Sequence, residues 1–266
     1  MEKNNWNKRN MRQARERSES GIYHVILRGI NRQDIFYDDE DYQHFLETIN
    51  QMKSEDQFIV YGYCLMTNHI HLLIKENTDT ISRVMSRIGT SYARWYNQKY
   101  GRSGHVFQGR YGSECVENDA YLLIIIRYIH NNPVKAGMVQ KPEEYKWSSI
   151  HAYYGCKEYP NRLSDTSFIL GIFNQDREKA LQSFQKFMKQ ENEDKCLEDE
   201  AKNRKTDKEV KTIIEQLMSG EPIGKLQGME RAERNEILRK IKASDGITLR
   251  QISRVTGLSV DIIFKA

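Results

Sequence analysis

With 266 residues and 29% charged side chains, the chain has room for one large domain or two modest ones, and its net charge of +4 selects no partner by itself. No apolar run is long enough to span a bilayer, and the opening Met1-Glu-Lys-Asn-Asn lacks the apolar segment of a secretory signal, so no membrane partner and a cytoplasmic location are expected. The four cysteines (Cys64, Cys115, Cys156, Cys196) stand singly without a CxxC pair, which predicts reduced thiols rather than disulfides or a zinc site. In chain order, a basic N-terminal arm within residues 1–20 (Lys3, Lys8, Arg9, Arg12, Arg15, Arg17) comes first and is a candidate phosphate contact. Tyr23 to Arg28 is β-branched and partly alternating, which predicts a strand. Asp38 to Ser54 has an acidic first turn and Tyr42, Phe45, Leu46 and Ile49 at helical spacing. Phe58 to Thr67 and His69 to Glu76 predict two more strands around a Thr67-Asn68 turn, and residues 80 to 100 return to helical spacing. A glycine-rich loop from Gly101 to Gly112 then leads to a short strand near Ser113 to Val116. The next predicted helix begins at Asn118 or Asp119, either of which can cap it, and Pro133 is expected to stop it. Its run Tyr121-Leu-Leu-Ile-Ile-Ile126 requires burial on most sides.

Past Trp147 to Gly155, where the first domain is expected to close, the composition shifts. Asp176 to Gln190 predicts one helix with Leu181, Phe184, Phe187 and Met188 inward. Glu191 to Glu209 is nearly all polar or charged, a hinge or a solvated helix. Arg231 to Lys242 predicts a helix, Asp245-Gly246 a break, and Thr248-Leu-Arg-Gln251 a capping box. Thr248 to Thr256, the Gly257-Leu258 turn and a short helix from Ser259 have helix-turn-helix form, which helical hairpins that touch no DNA also share. The DNA-binding reading is the favoured one, with Arg250 as a candidate contact. The expected organisation is an α+β layer of helices on an antiparallel sheet over residues 21–155, a helical and charged linker over 156–207, and an all-α helix-turn-helix region over 208–266.

Two segments carry the chemistry. In Met66-Thr-Asn-His69-Ile-His71-Leu-Leu-Ile74, alternation puts His69 and His71 on one face of a strand and Ile70, Leu72 and Ile74 on the other. Two imidazoles on one face pack poorly but make a metal pair, and the rival reading is a pair of satisfied core histidines. Tyr128 and Asn132 stand one helical turn apart. An Asn132 amide oxygen completes a His, His, Asn metal set, and Tyr128 can reach a phosphate held there. Tyr121, one heptad earlier on nearly the same face, is the main rival to Tyr128. A third segment, Ile81 to Ser113, has no Asp or Glu. It carries Arg83, Arg87, Arg94, Lys99, Arg102 and Arg110 among Tyr92, Trp95, Tyr96, Tyr100, Phe107 and Tyr111. Cations for phosphates and rings for bases are what a single-strand groove needs, while a solvated helix face with its rings in the core fits equally well.

Several motifs occur in order: Gly21-Ile-Tyr-His-Val-Ile-Leu-Arg-Gly29, Tyr63-Cys-Leu-Met-Thr-Asn-His-Ile-His71, Gly104-His-Val-Phe-Gln-Gly-Arg110, Tyr121 through Arg127-Tyr-Ile-His-Asn-Asn-Pro-Val-Lys-Ala-Gly137, and Tyr145-Lys-Trp-Ser-Ser149. Over residues 15 to 155 the chain thus resembles the REP-associated tyrosine transposases, a branch of the single-tyrosine HUH nucleases. The resemblance implies a ferredoxin-like HUH palm, recognition of hairpin DNA, and Mg²⁺- or Mn²⁺-dependent cleavage of single-stranded DNA. It also implies Tyr128 as the nucleophile that forms a 5′-phosphotyrosine, His69 and His71 as the metal pair, and Asn132 as the third ligand. The proline usual before Asn-His in that family is Thr67 here, which changes turn stiffness rather than chemistry. The rival functions are a catalytically silent DNA-binding regulator and a hydrolytic metal nuclease in which Tyr128 only packs. Monomer and homodimer both remain open.

Overall fold

The structure, a computed structural model, describes residues 16–56, 58–190, 194, 196, 205, 207–244, 247 and 249–266. Most of the basic arm and most of the polar stretch 191–209 therefore lie outside the described residues. The chain folds as two compact units, Met1–Asp194 and Lys195–Ala266.

The first unit is built on β1 (Ile22–Arg28), α1 (Asp39–Asp56), β2 (Ile59–Leu65), β3 (His69–Lys75), α2 (Ile81–Lys99) and β4 (Gly112–Cys115). The strands form one antiparallel sheet in the order β2-β3-β1-β4. This β-α-β-β-α-β succession is ferredoxin-like, as the motif resemblance implied. Register decides what each face carries. Ile26 pairs with His71, Arg28 with His69 and Cys64 with His71, so the histidines share a face with His24, Ile26 and Arg28. Glu114 joins that face by pairing with His24. Val25, Leu27, Ile70, Leu72 and Ile74 are buried on the other face, under α1 and α2.

The α1–α2 layer is held by aromatic packing and one buried carboxylate. Tyr92 lies within 5.1–5.7 Å of the Phe36 and Phe45 rings and donates its hydroxyl to the Ile35 carbonyl at 2.5 Å. Asp41, fully buried in the first turn of α1, accepts from the Tyr37 N–H at 2.6 Å, from Lys99 Nζ at 2.8 Å and from the Tyr100 hydroxyl at 2.8 Å. A buried carboxylate is tolerable only when so fully partnered.

The histidine face is covered by α3 (Asp119–Lys135). Asn118 caps it, its side chain accepting from the Tyr121 N–H at 2.8 Å. Pro133 does not stop the helix, contrary to the sequence expectation. The missing N–H forfeits one bond near the end, the helix runs two residues further, and Gly137 at φ +69° terminates it. The approach of α3 to β2 is close: a Cβ on Gly62 would stand 2.4 Å from Ile126 Cδ1.

The unit extends to Asp194 rather than closing near Gly155, because the expected linker supplies core. After α4 (Ile150–Tyr153) and α5 (Ser167–Phe173), α6 (Arg177–Met188) buries Phe184 against Tyr153 with ring centroids 4.8 Å apart. Arg127 of α3 binds Asp194 through Nε at 2.7 Å and Nη2 at 2.9 Å.

The second unit contains α7 (Asp207–Leu217), α8 (Lys225–Gly228), α9 (Arg231–Lys242), α10 (Leu249–Thr256) and α11 (Val260–Lys265). Val210, Ile214, Leu226, Leu238, Ile241, Ile252 and Ile263 form its own core. α10 and α11 meet at Gly257, φ +71°, and Ser259 caps α11. α7 was not anticipated, because its polar residues continue the charged stretch before it.

Candidate active site

His69 opens β3 half-buried, and His71 two residues on is fully buried. Their ring centroids lie 5.1 Å apart, so the alternation that placed them on one face holds. The Tyr128 ring meets His71 edge-on at 5.7 Å and His24 at 6.1 Å. Asn132, buried one turn along α3, donates its Nδ2 to the Tyr128 carbonyl at 3.1 Å. Lys135 sets its ammonium 4.7 Å above the Tyr128 ring. Tyr121 is placed differently. Its hydroxyl donates to Glu114 Oε2 at 3.0 Å, so the rival tyrosine is tied to β4 while Tyr128 faces the histidines.

Two side chains in this cluster escaped the sequence reading. His24 Nε2 lies 3.0 Å from His71 Nδ1, and His24 Nδ1 lies 2.5 Å from Glu114 Oε1. His24 stood in a strand of ordinary alternation, and only the β1–β3 and β1–β4 registers bring it between His71 and Glu114.

The donor set was tested against the divalent ion that the family resemblance implies. Among the described residues, no three His, Cys, Asp or Glu side chains cluster as metal ligands. The set that the resemblance implies is instead two imidazoles and an amide. His71 has its Nδ1 held by His24, and His69 has its Nδ1 2.6 Å from Asn68 Oδ1. Ligating histidines characteristically have their other ring nitrogen held in this way, so the residues present fit a metal.

The cation-rich segment lies on the other layer of the sheet. Tyr96 does not line a groove: it is fully buried, and its hydroxyl donates to the Asp34 carbonyl at 3.2 Å. Trp95 is half-buried and stacked on His44 at 4.1 Å, with Lys99 Nζ 5.0 Å from its ring. Nor is the segment without acids once folded, since Lys99 pairs with Asp38, Glu40 and Asp41, and Arg83 with Asp79 at 3.1 Å. Arg94 and Arg110, both exposed, line a cleft of about 630 Å³ between α2 and the 104–111 loop, with Phe107 and Met85 among its walls. Arg87 and Arg94 also border a second depression beside Met52. Arg250 lies in α10, but its side chain falls outside the described residues.

Residues 18–132 match the family model described as transposase IS200 like, a span that contains all four strands, both histidines, Tyr128 and Asn132. Within that class the chain is similar to a protein of Haemophilus influenzae named "Putative REP-associated tyrosine transposase". The two are 30% identical over 115 residues, 39% of this chain and 65% of the relative. The chain thus covers somewhat less than two thirds of that relative's length. A solved structure of a REP-associated tyrosine transposase bound to a REP hairpin is 20% identical, covering 59% of this chain and 93% of that one with a TM-score of 0.48. The family resemblance read from the motifs is borne out by the family model and the curated relative. Among the described residues, no helix is long and apolar enough to cross a membrane.

Proposed function

We propose that this protein is a transposase that nicks and rejoins single-stranded DNA beside hairpins, with Tyr128 as the covalent nucleophile. The observation that carries the reading is the Tyr128 ring packed edge-on 5.7 Å from His71, on the helix that covers the two-histidine face. The match to IS200-like transposases over these same residues supports it, as does the name of the curated relative.

His69, His71 and the Asn132 amide oxygen would hold Mg²⁺ or Mn²⁺, which when bound neutralises charge on the scissile phosphate. Tyr128 Oη forms a bond to phosphorus, the bond from phosphorus to the 3′-oxygen breaks, and that oxygen leaves with a proton as a 3′-hydroxyl. The strand stays on Tyr128 as a 5′-phosphotyrosine. Because one phosphoester has replaced another, an incoming 3′-hydroxyl reseals the strand with no other energy source. Tyr128 is only 1% exposed, so its side chain must swing outward before it meets a phosphate. Lys135, whose ammonium lies 4.7 Å above the ring, would supply a cation beside the phenol.

Arg83, Arg87, Arg94 and Arg110 are the proposed phosphate contacts of the α2 layer, and Arg250 that of the α10–α11 pair. Tyr96 is withdrawn from the stacking role because it belongs to the core. The expected action is in the cytoplasm.

Denaturing electrophoresis after incubation with a 5′- or 3′-labelled hairpin oligonucleotide tests the proposal. The wild type should leave label covalently attached to protein only from the fragment 3′ of the nick. Tyr128→Phe should show neither adduct nor cleavage while still retarding the hairpin. Cleavage without an adduct would make the protein a hydrolytic nuclease, and retardation with no cleavage by the wild type would make it a binding protein.

A further inference from the structure

Three strands contribute to a polar line, buried at its inner end, that runs to His71 and whose other members the mechanism above leaves unused. It begins at the Tyr121 hydroxyl, which donates to Glu114 Oε2 at 3.0 Å. Glu114 Oε1 lies 2.5 Å from His24 Nδ1, and His24 Nε2 lies 3.0 Å from His71 Nδ1. His24 and His71 are both fully buried, and their rings stack at 5.2 Å with planes 19° apart. The register that makes this line is specific, with His24 opposite Glu114 on β4 and diagonal to His71 on β3.

An ionised carboxylate only accepts, so His24 donates Nδ1–H to Glu114. A neutral His24 then has a lone pair at Nε2, and the contact with His71 requires the proton to sit on His71 Nδ1. That tautomer puts the His71 lone pair on Nε2. The opposite tautomer would bring two lone pairs together at 3.0 Å and place a proton where a ligand atom is needed.

We propose that Glu114 and His24 are positioning residues for His71: they fix it as the Nδ1–H tautomer and aim its Nε2 at a divalent cation. This rests on the reading of His69 and His71 as a metal pair and deepens it. The rival account is a core in which His24 and Glu114 merely satisfy one another.

Two measurements on the full chain separate the accounts. The first is the long-range ¹⁵N–¹H correlation spectrum of the metal-free wild type, with the His71 signals assigned by their loss in His71→Ala. A proton on His71 Nδ1 is expected, and a proton on Nε2 overturns the proposal. The second is a Mn²⁺ titration followed by electron paramagnetic resonance, paired with metal-free melting curves. His24→Phe and Glu114→Ala should lose Mn²⁺ affinity by about 10- to 100-fold, the range typical for removal of partners behind a ligating histidine. His24→Gln keeps an acceptor for His71, and Glu114→Gln keeps one for His24, so both should stay within several-fold of wild type. Affinity that falls in all four variants in proportion to their melting temperatures would assign the line to stability and overturn the proposal. Wild-type affinity in a well-folded His24→Phe would do the same and leave the metal pair standing. A wild type that binds no Mn²⁺ would overturn the metal pair and the proposal together. If His24→Phe does not fold, the wild-type tautomer spectrum still decides.

Discussion

At the scale of single residues, what matters is which atoms of each side chain are already engaged. His69 and His71 each have Nδ1 held by a neighbour, and Asn132 has turned its amide nitrogen back on the Tyr128 carbonyl. His69→Ala and His71→Ala should therefore each remove nicking, and EDTA should do so in the wild type. Asn132→Ala should reduce it less, since water can replace an amide ligand. Undiminished cleavage in EDTA would remove the metal from the reaction. The same attention to engaged atoms revises the aromatic segment. With Tyr96 fully buried and its hydroxyl on the Asp34 carbonyl, Tyr96→Ala should cost about 3–5 kcal/mol of stability, the range for deleting a large core ring. Its preference for single- over double-stranded DNA should be unchanged. A melting curve beside a matched binding titration checks both halves, and a stable variant with eroded preference would restore the ring to the DNA.

At the scale of elements, α3 is the piece on which the site depends, and its seating contains a pH-sensitive contact away from the proposed chemistry. His130 Nε2 lies 2.8 Å from Ser149 Oγ, which in turn accepts from the Tyr63 N–H of β2 at 2.8 Å. Among the described residues its buried Nδ1 has no hydrogen-bond partner. Burial, with a smaller contribution from His151, depresses the His130 pKa from the usual 6.5 to about 3. The unfolded chain therefore takes up a proton below about pH 6.5 that the folded chain refuses until about pH 3. Stability should be unaffected by this group above pH 7 and should fall through that window, by at most about 1.4 kcal/mol per pH unit for one proton. His130→Gln keeps a donor for Ser149 and should flatten the acid limb in melting curves taken from pH 7.5 to 5. Parallel limbs in wild type and variant would rule His130 out. This contact also shows where sequence reading stopped. Pattern placed α1, α2, α3, β1, β2 and β3 to within a few residues, because helical spacing marks α1 and α2 while near-continuous apolar runs mark α3 and the strands. Alternation and helical spacing, both local, placed His69 with His71 and Tyr128 with Asn132, and the motif resemblance chose Tyr128 over Tyr121. His24, Glu114 and the Ser149 clamp depend on strand register and on chain segments far apart, for which a single sequence has no local signal. The acid-free stretch from Ile81 to Ser113 was misleading for the same reason: the acids that neutralise Lys99 come from α1 and the turn before it, about 60 residues away.

At the scale of the whole molecule, the residues of the proposed reaction all belong to one of the two units. Every side chain of the proposed reaction, and all four strands that position them, lie before Asp194, and the first unit buries its own core, including Phe184 of α6. The second unit has a separate core and a helix pair whose outward residues include Val260, Asp261, Phe264 and Lys265, with Phe264 69% exposed. Asp261 and Lys265 cancel on α11, which leaves Arg250 of α10 as the one phosphate contact proposed for this pair. The exposed Phe264 ring instead suits short-range contacts. Removal of residues 195–266 should then leave the nicking rate on a short hairpin with unpaired flanks unchanged and reduce affinity for longer DNA. The salt dependence of hairpin binding should barely change, because Arg83, Arg87, Arg94 and Arg110 remain, whereas Arg94→Ala with Arg110→Ala should lower the slope of log affinity against log salt by about 2, one unit per lost phosphate contact. Titrations of the truncated chain and of the double variant between 50 and 200 mM salt compare the two directly. A truncated chain that melts cooperatively yet no longer nicks would place part of the active site beyond Asp194, and a truncated chain with a collapsed salt slope would move the phosphate contacts there.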